Sequence, residues 1–217
     1  MNFLVVANFK SNLTQAEVQA WINQVKPTSN MVIAPSFPHL SLFPSGFTLA
    51  SQDVSPFPLG SYTGAVNALQ LKELGCNYCI VGHSERRRYF HETALDIANK
   101  VKELVDQSII PILCLEGHDL APQFAALSDN LADQCIYCFE PGNGLGGATT
   151  ATTQEIISIR SAIHQFVPSA RFMYGGSVTP DNLEPLLSLD LSGLLVATAS
   201  LAPSSYLKII EKVTHVS

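Results

Sequence analysis

Three short stretches of the sequence carry side chains able to move protons, and each directly follows an apolar run. Asn8-Phe9-Lys10 follows the run at the N-terminus, and Gly82-His83-Ser84-Glu85-Arg86-Arg87 follows Cys79-Ile80-Val81. Glu140-Pro141 follows Ile136-Tyr137-Cys138-Phe139. A glutamate can take a proton from a carbon next to a carbonyl. A histidine can polarise the carbonyl oxygen and shuttle protons between neighbouring oxygens. A lysine can hold the negative charge that develops. Two small-residue turns, Gly175-Gly176-Ser177 and Ala197-Thr198, follow two further apolar runs. Backbone N–H groups in such turns, ahead of a helix, can bind phosphate. The set describes proton transfer on a small phosphorylated carbonyl compound, with no cofactor and no metal. His39, His91, His118, His164 and His215 lack such surroundings and read as surface or structural. Trp21 reads as packing.

These residues need a scaffold that brings them to one face. Eight strand-like runs alternate with helical patterns: Phe3–Ala7, Met31–Ala34, Thr48–Ser51, Tyr78–Val81, Ile109–Cys114, Cys135–Phe139, Arg171–Tyr174 and Leu194–Val196. They are continuous apolar runs more than alternating ones, as parallel strands covered on both faces require. Helix starts are marked by Thr14-x-x-Glu17 and Thr152-x-x-Glu155, both capping-box patterns, and by proline in Thr179-Pro180 and Ala202-Pro203. Thr93 to Leu104 carries a helical apolar period. The stretch between Cys114 and Cys135 has only Phe124, Leu127 and Leu131 spaced for a helix. Strand and helix repeated eight times, with no linker, predict one α/β domain over residues 1–217. A closed (β/α)8 barrel is the first expectation and a doubly wound open sheet the alternative. In a barrel the active site lies at the carboxyl ends of the strands, where the residues above fall.

Composition excludes several classes. The 217 residues carry a formal net charge of −6, 47% hydrophobic and 14% charged residues. That argues against disorder and gives no electrostatic footprint for nucleic acid or an anionic membrane. The densest basic run, Arg86-Arg87-Arg88, is too short to change this. No apolar run reaches the roughly 18 residues of a membrane span. The apolar N-terminus lacks a basic leading segment and reads as a strand, so a cytoplasmic location is expected. Cys76/Cys79 and Cys135/Cys138 have the spacing of zinc-ligand pairs. On a regular strand, positions i and i+3 point to opposite faces, so buried core thiols are the expectation.

Asn8-Phe9-Lys10, Gly60-Ser61-Tyr62-Thr63-Gly64, Ile80-Val81-Gly82-His83-Ser84-Glu85-Arg86-Arg87, Glu140-Pro141 and Tyr174-Gly175-Gly176-Ser177-Val178 together resemble the triosephosphate isomerase family in order and spacing. The resemblance implies a single (β/α)8 TIM barrel. It implies Glu140 as the base that moves a proton between two substrate carbons and neutral His83 as the electrophile. That pairing of carboxylate base and neutral histidine is the family's own pattern and comes with the resemblance. Lys10 would stabilise negative charge and Asn8 would orient the substrate. Gly146, Ser177, its neighbours Gly175 and Gly176, and the turn at Ala197-Thr198 would hold the phosphate. Ser84 and Glu85 would support the site. The family forms homodimers, so the loop from Gln52 to Gly64 would enter a partner, with Thr63 supporting Lys10 across the interface. The exposed apolar patch at Pro56-Phe57-Pro58-Leu59 fits that role. A small phosphorylated triose would be the substrate.

The chain departs from the family pattern in several places. Gly142-Asn143-Gly144 stands where the lid hinge is usually bulky and aromatic, which predicts weaker substrate binding or slower turnover. Residues 142–147 also match Gly-x-Gly-x-x-Gly, but the following strand lacks a terminal acid for a ribose, which argues against a dinucleotide. Ala197-Thr198 replaces a glycine pair and can crowd the phosphate. Ala65 replaces an acid, removing an expected partner for the arginines after His83, and Asp53 replaces an asparagine. Cys114-Leu115-Glu116-Gly117 reverses the usual Gly-Glu order. These changes leave two alternatives to the family's reaction: a phosphosugar barrel with altered substrate, or a catalytically silent barrel kept for binding.

Overall fold

The computed structural model describes residues 3–142 and 150–216. Eight strands pair in parallel in chain order, and the last pairs with the first: β1 (Leu4–Asn8), β2 (Met31–Ala34), β3 (Leu49–Ser51), β4 (Cys76–Val81), β5 (Ile110–Leu115), β6 (Ile136–Phe139), β7 (Arg171–Tyr174) and β8 (Gly193–Val196). The β1–β8 register, Leu4 opposite Gly193 through Ala7 opposite Val196, closes the barrel and excludes the open sheet. The helices are α1 (Gln15–Ile22), α2 (Ala68–Glu73), α3 (Ser84–Tyr89), α4 (Ala94–Asp106), α5 (Leu120–Ala126), α6 (Asp129–Ala132), α7 (Thr153–Phe166), α8 (Leu183–Leu187) and α9 (Pro203–Val216).

Alternation along the strands sorts side chains into two cores. Leu4, Val6, Val32, Ile80, Ile112 and Cys138 fill the barrel, while Val5, Ala7, Ile33, Val81 and Tyr137 face the helices. Extended two residues further, the inward rows end in Asn8 after Val6 and Glu140 after Cys138. Local sequence sets the helix starts. Thr14, Thr93 and Thr152 each accept from the N–H of an acid three residues on, which caps back in return. Trp21 of α1 donates from Nε1 to the Ser200 carbonyl at 2.9 Å and meets the Phe9 ring edge-on at 5.1 Å. One buried indole thus ties the turn after β8 to the segment holding Lys10.

Four expectations are corrected. The second repeat has no α-helix but a 3-10 turn, Phe37–Leu42, because Pro35 and Pro44 bracket it and leave too short a stretch for a full helix. The segment after β5 breaks into α5 and α6, since Leu127 and Ser128 are extended. Thr179 and Asn182 bond each other's backbone N–H, so α8 begins at Leu183 instead of at Pro180. Cys76 and Cys79 face the same outer layer, not opposite faces. A register shift explains it: Leu49 pairs with Cys76 and Ala50 with Tyr78, leaving Asn77 as the extra residue of a bulge. Cys135 and Cys138 do face opposite ways. All five thiols are unpaired and buried, and burial pushes Cys76 up to about 11.

Candidate active site

The carboxyl end of the barrel opens into a cleft lined by Lys10, His83, Ser84, Glu85, Glu140 and the turns Gly175–Ser177 and Ala197–Ala199. His83 caps α3, and its ring accepts the Glu85 backbone N–H on Nδ1 at 3.2 Å. An accepting Nδ1 leaves the proton on Nε2. That nitrogen lies 2.9 Å from Glu140 Oε1. The other carboxylate oxygen accepts the Ser84 N–H at 3.1 Å. Both side chains are 9% exposed. Burial pushes the imidazole toward its uncharged form, and the Glu140 carboxylate and its hydrogen bond outweigh this and raise it. Burial likewise favours the protonated Glu140. The His83 ring, the Ser84 N–H and Lys10 overcome it and hold the carboxyl below its usual range. The base is therefore ionised and held by two donors in the absence of substrate.

Lys10 sits in the left-handed backbone region, φ 50°, a strain of about 1–3 kcal/mol for a residue with a side chain. Two neighbours hold it there. Asn8 Oδ1 accepts its N–H at 3.1 Å, and Gln52 Nε2 donates to its carbonyl at 2.9 Å. Its ammonium lies 2.8 Å from Glu85 Oε1. Asn8 is buried and its carboxamide oxygen turns to the Lys10 backbone.

The glycine-rich turn after β7 is small by necessity. A Cβ on Gly175 would stand 3.3 Å from the Glu140 Cγ, and one on Gly176 would stand 2.6 Å from Pro141 Cγ and run into the Tyr174 hydroxyl. Ser177 follows at φ 46°, its carbonyl accepting from Asn182 Nδ2 at 2.8 Å. Thr198 is exposed and heads the 3-10 turn Thr198–Ser200. Replacing Ala197 and Thr198 together by glycine is expected to lower KM for a phosphorylated substrate several-fold with kcat nearly unchanged. Steady-state kinetics would show this uniform gain in binding.

Several residues stand apart from the cleft or were not singled out as site residues. Gly146, Asn143 and Gly144 lie outside the described residues. Thr63 lines a separate groove with Asp53, Arg86, Glu92 and Lys100. The arginines do not lose their partner through Ala65: Arg86 Nη2 lies 2.8 Å from Asp53 and its Nε pairs with Glu92, and Arg87 donates to the Gly82 and Cys114 carbonyls and to Gln123. Asp53 and Glu92 supply the acids that position 65 lacks. Glu116 also lines the cleft. A Cβ on Gly142 would stand 2.6 Å from its Oε2, so a side chain there would have to move the flexible Glu116 carboxylate aside. Its place directly after β5 was the available signal. Tyr174 accepts the Ala151 N–H on its hydroxyl at 2.9 Å.

A closed eight-stranded parallel barrel, with a carboxylate, an imidazole and an ammonium gathered at its carboxyl-end mouth, defines a barrel enzyme. The family model of triosephosphate isomerase matches residues 3–213. The chain is 33% identical to the triosephosphate isomerase of Thermus thermophilus, over 95% of this chain and 97% of that protein. It is 33% identical to that of Polynucleobacter asymbioticus, over 96% and 98%. Over 75% of its length it is 38% identical to that of Dichelobacter nodosus, covering 77% of that protein. The chain belongs to the triosephosphate isomerase family.

Proposed function

We propose that the chain interconverts dihydroxyacetone phosphate and D-glyceraldehyde 3-phosphate through an enediolate. The observation that carries the reading is the Glu140–His83 contact, beside the Lys10 ammonium and two small-residue turns in one cleft. Substrate displaces Glu140 from Nε2. The freed carboxylate takes the proton from the carbon beside the carbonyl. Negative charge collects on the carbonyl oxygen, where the His83 Nε2–H donates and Lys10 balances the charge. His83 relays the hydroxyl proton from the neighbouring oxygen to the former carbonyl oxygen, and Glu140 returns its proton to the former carbonyl carbon, which leaves the new carbonyl on the neighbouring carbon. Backbone N–H groups of the Ser177 and Ala197-Thr198 turns, joined by Gly146, hold the phosphate. No metal or cofactor enters this scheme. A coupled assay with purified protein and glyceraldehyde 3-phosphate tests it. Turnover supports it, and no turnover by folded protein overturns it. A panel of larger phosphosugars then tests the altered-substrate reading, which Glu116 and Thr198 in the cleft favour.

The working unit in this reading is a cytoplasmic homodimer. Phe57, Leu59 and Tyr62 are 48%, 68% and 43% exposed on the loop after β3, a patch that burial in a second copy would cover. Five unpaired thiols accord with a reducing compartment. Leu59→Asp together with Phe57→Asp is expected to yield a monomer in sedimentation analysis, with activity falling as Thr63 leaves the partner's Lys10.

A further inference from the structure

The three consecutive arginines after His83 do different things. Arg86 is locked between Asp53 and Glu92 and lies over the Phe90 ring. Arg87 turns inward to backbone carbonyls and Gln123. The Arg88 side chain has no hydrogen bond or ion pair among the described residues, and the residue is exposed and lines the cleft. The charge around it makes this position informative. The described cleft holds two cations, Lys10 and Arg88, against the carboxylates of Glu85, Glu116, Glu140 and Asp181. Lys10 is paired with Glu85 at 2.8 Å, deeper in the cleft than the rim. The whole chain carries a formal charge of −6. A phosphate dianion must therefore enter an acidic cleft of an acidic protein.

We propose that Arg88 is the cation that draws the substrate phosphate into this cleft, acting by charge at the rim and not by a fixed contact. The proposal rests on the phosphorylated-substrate reading above. A rim charge changes association and its salt dependence more than the chemical step. A Debye length near 10 Å at 0.1 M salt makes the effect fade as salt rises. Lysine should substitute for arginine, because steering needs a charge and not a planar fork.

The test compares wild type, Arg88→Gln, Arg88→Lys and, as a control for net charge, Lys72→Gln on the exposed face of α2. At low ionic strength Arg88→Gln is expected to lower kcat/KM roughly five- to tenfold through KM. Its kcat should stay within about twofold, and the difference from wild type should close as salt rises. Arg88→Lys should stay near wild type, as should Lys72→Gln. Calorimetric titration with inorganic phosphate reads the same preference without turnover, and Arg88→Gln should bind it more weakly. Equal salt dependence and equal phosphate affinity in Arg88→Gln and wild type would overturn the proposal. So would an Arg88→Lys as impaired as Arg88→Gln. A wild type that binds phosphate through Arg88 yet fails to isomerise the triose would instead remove the isomerase reading and leave Arg88 its role.

Discussion

Glu140→Gln is expected to lower kcat by about 10³- to 10⁴-fold, the upper part of what a positioned general base contributes. The substitution keeps the side chain's length and removes its basicity. It also breaks a match of donors and acceptors. Both Glu140 oxygens accept, one from His83 Nε2 and one from the Ser84 N–H. An amide offers one accepting oxygen and one NH2 group, so one of these donors would face another donor. Glu140→Asp isolates the geometric part. It keeps the charge but withdraws the carboxylate by one methylene, and a misplacement of about 1 Å costs about 10²-fold. The two variants, with KM and thermal stability measured beside kcat, should rank wild type, Asp, Gln. A Gln variant that keeps a tenth of the wild-type kcat would remove Glu140 from the chemistry.

Lys100→Met should lower stability by about 3–5 kcal/mol, the cost of stripping one partner from a buried ion network. The Lys100 side chain is 4% exposed and lies 2.6 Å from Asp53 Oδ1, with Glu92 as its second partner. Glu92 already has one buried oxygen without a hydrogen bond among the described residues. Burial holds the Asp53 carboxyl above its usual range even with Lys100 and Arg86 beside it. Removing the lysine leaves Arg86 alone to balance two carboxylates. For a chain of this size the loss corresponds to a melting temperature lower by about 6–20 °C. Adding Asp53→Asn should restore part of it by removing one uncompensated charge. Calorimetry of the single and double variants decides the matter. A single variant within 1–2 °C of wild type would show that the network is dispensable.

Much of this was readable from residue types because strand ends and active-site positions coincide in a barrel. The apolar runs located all eight strands to within a residue or two. Lys10, His83 and Glu140 then followed from their places after β1, β4 and β6. Failures occurred where tertiary geometry overrides a local pattern. Periodicity does not announce a bulge, so spacing alone sends Cys76 and Cys79 to opposite faces. Eight strand–helix repeats imply a helix in each, yet prolines 35 and 44 bracket one so closely that only a 3-10 turn fits. Side-chain direction was least readable. Nothing in the spelling Asn8-Phe9-Lys10 says that the Asn8 carboxamide turns back to the Lys10 backbone. Nothing in Arg86-Arg87-Arg88 says which of three guanidinium groups is left without a partner among the described residues. Position 65 read alone suggested a lost ion pair, whereas the fold supplies the acid from β3's end.

The closeness of Glu116 to position 142 couples the two positions. With glutamate at 116, even an alanine at 142 would require the carboxylate to swing aside, a move the end of a flexible side chain makes at little cost. An engineer wishing to rebuild the hinge should therefore vary the two positions together, since the rotamer of one depends on the size of the other.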